Sequence, residues 1–267
     1  MEFQILTMRK IFILLVAILC SSCEKVIDLN LDNTEPKIVI EAIFTDLNVR
    51  HTFTLSSTSN FDQNNAKIPV TGAVVVLMEE NGPTLSFSEL TPGAYTTTTR
   101  YKGVPGKKYT LSVTSGGKTY VATSIMPSPV AIKSISQAEL TFFNTTRKIV
   151  QLNYKDPLGI PNYYYNRVFV NSVKRENFSV DSDRFNDGKE VKNNIFIDEP
   201  DLVKGDVVRV QFLTIDVNVY KFLFSITQIT GNGGPPTTPA NPNSNFSNGA
   251  LGFFSASTST EETLVIE

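Results

Sequence analysis

Apolar and polar residues alternate with a period of two over most of this chain, in short runs broken by glycine, proline and asparagine. Such a pattern predicts strands with one face in a core and one face in water. Lys37–Thr45 (KIVIEAIFT) carries too few polar residues for that and reads as a strand buried on both faces. In Arg50–Leu55, His51, Phe53 and Leu55 share one face, and Arg50, Thr52 and Thr54 share the other. Gly72–Glu79, Thr84–Ser88, Ala94–Thr99, Lys108–Thr114 and Lys118–Ile125 complete a set of seven strands. Asn81-Gly82, Pro92-Gly93 and Pro105-Gly106 provide turns with pre-set or positive φ, and Gly116-Gly117 suits a two-residue hairpin. Seven short strands at this spacing predict a small β-sandwich over residues 23–128. Met126-Pro127-Ser128-Pro129 then marks a boundary, because two prolines interrupt any ladder.

Strand patterns resume at Ala131–Phe142, Lys148–Tyr154, Tyr163–Val173 and Asp206–Thr214. Val217–Ile229 differs, with Val219, Leu223 and Ile226 at i, i+4 and i+7. Asp216 can cap its start, and the glycines from Gly231 onward stop it, so the segment reads as one amphipathic helix. Residues 231–243 form a loop rich in proline, glycine and asparagine, either mobile or binding. Gly249–Ser257 and Thr263–Glu267 read as two closing strands. The second domain, residues 129–267, is therefore β-rich with one helix, and the chain as a whole is mainly β.

The N-terminus follows a different logic. Arg9 and Lys10 precede an apolar run, Ile11–Leu19, and the small residues Ser21 and Ser22 follow. This is the layout of a secretory signal peptide over residues 1–22, and Met8 is a second candidate start beside Met1. The apolar run falls short of the roughly 20 residues that span a bilayer.

With 267 residues and a net charge of -2, the chain has material for real cores and no basic field for nucleic acid. The scarcity of chemistry narrows function further. His51 is the only histidine, and its parity with Phe53 and Leu55 predicts a packed side chain. No G-x-S-x-G elbow, H-E-x-x-H helix or glycine-rich phosphate loop occurs, so neither an enzyme nor a cofactor is expected.

Two groups of residues stand out as candidates. Asp181, Asp183 and Asp187, within DSDRFNDGKE, can offer the hard oxygens that calcium takes. Their spacing is not that of a calcium loop, and Asn186-Asp187-Gly188 also reads as a tight turn. Phe246, Phe253 and Phe254, beside the long loop, can anchor a partner or fill a core.

Leu19-Cys20-Ser21-Ser22-Cys23 resembles a bacterial lipoprotein processing box, with the departure that Cys20 stands where leucine is usual. The small residues before Cys23 make it the better candidate for the first mature residue. The resemblance implies a diacylglyceryl thioether and an acylated amine on Cys23, hence a membrane tether. Several further blocks resemble one family. They include Cys23–Leu29, Pro36–Glu41, Val70–Val75, Pro92–Tyr95, Gly103–Tyr109, Phe185–Lys189 and Asn248–Phe254. In this order they are similar to uncharacterised Bacteroidota lipoproteins often encoded beside TonB-dependent outer-membrane receptors. The first half also resembles the immunoglobulin-like or transthyretin-like modules of Bacteroidota envelope proteins.

The family resemblance implies an outer-membrane lipoprotein, an accessory to nutrient uptake with a receptor barrel as partner. It carries no catalytic residue over. A structural or adhesive envelope protein stays open as the alternative. So does the membrane face, because Glu24, Asp28 and Asp32 only partly match a surface-export signal.

Overall fold

The computed structural model describes residues 35–59, 67–142, 144–198, 200–230 and 242–267. Cys20, Cys23 and most of the 231–243 loop lie outside them. Strand β1 (Ile38–Thr45) pairs with β15 (Leu251–Val265) in parallel, Val39 opposite Leu251 and Thr45 opposite Ser257. The two ends of the described fold are thus joined in one ladder.

Between them run β2 (Thr52–Ser57), β3 (Ile68–Pro69), β4 (Val74–Glu79), β5 (Thr84–Thr91), β6 (Ala94–Thr97), β7 (Lys108–Ser115) and β8 (Lys118–Ile125). The second half holds β9 (Ile132–Phe142), β10 (Thr145–Lys155), β11 (Tyr163–Val170), β12 (Val173–Ser182), β13 (Glu190–Ile195) and β14 (Val207–Ile215). Helix α1 (Val217–Thr230) precedes β15. One sheet has the order β12-β11-β14-β15-β1-β2-β6-β5-β4-β7-β8, with β3 on β2, and a second has β13-β10-β9. The fold is mainly β with one α-helix among the described residues, in agreement with the sequence pattern.

Three cores explain the layering. In the first, Ile40 and Phe44 of β1 and Leu55 of β2 meet Leu77 of β4, Leu111 of β7 and Phe254 of β15. Strands distant in the sheet order share this core, so the sheet curls over itself as a sandwich. In the second, Val150, Leu152 and Tyr154 of β10 pack on Tyr164 and Val168 of β11 and Val210 and Phe212 of β14. The third lies on the opposite face of the same strands. There Tyr165, Leu213 and Ile215 receive Val219, Phe222 and Leu223 of α1. β14 is therefore buried on both faces, and each such side chain contributes about 1.5–3 kcal/mol. Asp216 caps α1 as expected, its Oδ1 accepting from Asn218 N at 2.8 Å and Val219 N at 3.1 Å.

The expected boundary near residue 128 falls between β8 and β9, and the large sheet draws strands from both sides of it. Several expected elements change. Tyr163–Val173 is not one strand: Asn171 and Ser172 turn the chain at φ 51° and 69°, and β12 returns along β11. The two closing strands are one, β15, because Ser255, Ser257, Thr258 and Ser259 are buried within the ladder. Among the described residues no helix is long and apolar enough to cross a membrane.

Candidate functional site

The acidic run at the end of β12 is gathered with a residue that the sequence pattern did not single out. Asp183 and Asp187 meet Asp156, which opens the 156–162 loop between β10 and β11. One oxygen of each lies within 4.8 Å of the others. Asp156 is buried and Asp187 exposed. Asp181 takes no part in this group. It stays on β12 and accepts from Asn193 Nδ2 at 2.5 Å, and burial pushes its carboxyl up against that bond.

Each of the three carboxylates crosses to the opposite loop. Asp183 Oδ2 accepts from Asn162 N at 2.9 Å, and Asp187 Oδ1 accepts from Gly159 N at 2.6 Å. In return Asp156 Oδ2 accepts from Gly188 N at 3.2 Å, while its Oδ1 accepts from the Tyr164 hydroxyl. Backbone bonds from Asp183 N to Asn162 O (3.1 Å) and Asp156 N to Lys189 O (2.9 Å) complete a reciprocal clamp. Gly188 is required at its place: its φ is +71°, and an added Cβ would lie 2.7 Å from Leu158 Cδ1. Burial, then the bond to Asp156, pushes the Tyr164 phenol far up, so it remains a donor. Hard carboxylate oxygens suit calcium, but here all three hold backbone, which gives the cluster a structural role of its own. Asp156 lies 27 residues before Asp183 in a stretch, Asp-Pro-Leu-Gly, that reads only as a turn, so no spacing rule links them.

The remaining singled-out residues are buried. His51 is 4% exposed, its ring 4.5 Å from that of Phe44, with Nε2 2.9 Å from the Tyr101 carbonyl oxygen. Burial lowers its pKa, although the Tyr101 carbonyl bond pulls the other way. Phe246 and Phe254 belong to the first core and Phe253 to the third, so none presents an exposed anchor; the core-filling alternative matches these positions.

A polar cleft of about 380 Å³ opens beside α1. Thr123 of β8, the helical stripe Asn218, Lys221 and Ser225, and residues 243–245 line it. Part of this lining is already engaged. Ser225 Oγ donates to Lys221 O, and Ser244 Oγ donates to Gly252 O, both at 2.8 Å. The Asn245 amide donates to Phe254 O at 2.7 Å and accepts from Phe254 N at 3.0 Å, as a strand neighbour would.

No curated protein matches this chain. Among solved structures, a DUF4785 family protein from Legionella pneumophila subsp. pneumophila str. Philadelphia 1 is similar over 66% of this chain and 52% of its own, with 9% identity and a TM-score of 0.25. The chain thus spans about half the length of that protein. A family profile described as a domain of unknown function, DUF4249, matches residues 24–263, and the chain belongs to that family.

Proposed function

We propose that this protein is a lipid-anchored outer-membrane lipoprotein, acting as a non-enzymatic binding or accessory subunit of a TonB-dependent uptake system. The tether rests on the Arg9–Cys23 layout and its processing-box resemblance. The uptake role rests on the resemblance of the ordered blocks to lipoproteins encoded beside such receptors. One structural observation supports the non-enzymatic part. The histidine and the clustered carboxylates are engaged with backbone: His51 with the Tyr101 carbonyl, and Asp156, Asp183 and Asp187 with amides of facing loops. Co-purification of the full chain from native membranes tests the role. A receptor barrel among its stable partners is the expected result, and none would overturn it.

The second reading is a structural or adhesive envelope protein without a small ligand. It is favoured by the self-satisfied lining of the polar cleft, where Ser225, Ser244 and Asn245 already bond to backbone. A thermal-shift screen with peptides and glycans separates the two, because a ligand that binds only the folded state raises the melting temperature.

A further inference from the structure

We propose that the polar cleft beside α1 binds a small polyhydroxylated carboxylate, the chemistry of a sugar acid. The inference deepens the binding-subunit reading and takes its place in uptake from it. At about 380 Å³ the cleft lies within the range of small-ligand sites.

Its lining divides into two sets. Ser225, Ser244 and Asn245 are spent on backbone and hold the walls. Ser244 Oγ also accepts from Phe246 N at 3.1 Å, and its bond to Gly252 O ties this wall to β15. A ligand therefore meets walls that are already ordered. Thr123, Asn218, Lys221 and Asn243 form the second set. All four are exposed, and none makes a side-chain hydrogen bond or ion pair among the described residues. Asn218, Lys221 and Ser225 recur at helical spacing, so they present one stripe of α1 to the cleft.

The second set specifies the ligand. Lys221 is the only charged residue of α1, and its ammonium calls for an anion. Among the described residues no carboxylate lines the cleft. Asp216, just before the helix, is spent on the Ser124 hydroxyl and on the amides of Asn218 and Val219. A phosphate ester would bring a charge of about −2 against this single ammonium, so one carboxylate is the better match. The Asn218 and Asn243 amides and the Thr123 hydroxyl each donate and accept, as sugar hydroxyls do. No aliphatic or aromatic side chain among the described residues lines the cleft, so an acyl chain or an aromatic ring finds no partner there.

Calorimetric titration of the purified full chain tests this with galacturonate, galactose and butyrate, which separate charge from hydroxyls. Saturable binding of galacturonate is expected, with galactose and butyrate each weaker by about tenfold or more. K221Q should weaken galacturonate by about tenfold and K221R should restore most of it. N218A with N243A should erase the preference for galacturonate over butyrate. Melting temperatures should not change, because these side chains are exposed. An oligogalacturonide titrated alongside tells a glycan from a free sugar acid, the tighter of the two naming the source. Absence of saturable galacturonate binding, butyrate binding as tightly, or K221Q titrating like wild type would each overturn the proposal. Failure of the transport reading shows separately, as galacturonate binding by a chain that brings no receptor barrel from native membranes.

Discussion

The Ser124 hydroxyl on β8 donates to the Asp216 carboxylate at the start of α1, 92 residues later in the chain. The same oxygen accepts from Ala256 N of β15 at 2.9 Å. One small side chain thus joins the first-half sheet, the helix cap and the closing strand. Burial pushes the Asp216 carboxyl up, and its bonds to Ser124, Val219 and Asn218 oppose that. Ser124→Ala strands a buried amide and removes a donor from a half-buried carboxylate, so it should cost about 1–3 kcal/mol. Urea unfolding of the full chain measures this; an unchanged midpoint would contradict the role assigned to Ser124.

Gly252 and Gly249 provide a matched pair. Both have positive φ, +89° and +75°. Only at Gly252 does an added Cβ meet backbone, 2.1 Å from Ile40 O across the β1–β15 ladder. Gly249→Ala should cost about 1–2 kcal/mol from strain alone. Gly252→Ala should cost about 4 kcal/mol or more, because the parallel ladder must separate. Comparable melting temperatures for the two variants would refute this account of the β1–β15 ladder.

These positions also show where the sequence was readable. β8 and α1 follow their patterns almost to the residue, since Gly116-Gly117 and Asp216 mark their starts by local chemistry. The turn at Asn171-Ser172 was hidden because neither residue is glycine, yet both take positive φ. The gap between the two expected closing strands, residues 258–262, is wholly polar, yet tertiary contacts bury Thr258 and Ser259 within the continuous β15. Two of the three acidic residues were legible, Asp183 and Asp187. The strand pairing that brings Asp156 to them is long-range information that no window of sequence contains.

The clamp makes its own prediction. Asp156→Ala leaves the Tyr164 hydroxyl and Gly188 N without their acceptor, at about 2–3 kcal/mol. Because the three carboxylates already accept from facing amides, calcium should shift the wild-type melting temperature little. A rise that grows with the logarithm of calcium concentration would instead show a bound ion.

His51 sets a pH dependence. Its folded-state pKa is lowered, so the unfolded chain takes up the proton first as pH falls. Its contribution is complete above the unfolded value of about 6.5 and is lost on acidification below that value. The wild type should therefore lose stability between about pH 7 and 5 more steeply than His51→Gln, which lacks the titrating ring. Parallel profiles would contradict a neutral, buried imidazole at this position.

The most direct measurement of the central claim is metabolic labelling with a clickable fatty acid in wild type, Cys23→Ala and Cys20→Ala chains. The account predicts label on the wild type and on Cys20→Ala, and none on Cys23→Ala. Label that survives in Cys23→Ala, or an unlabelled wild-type chain, would contradict a protein tethered to the outer membrane through Cys23.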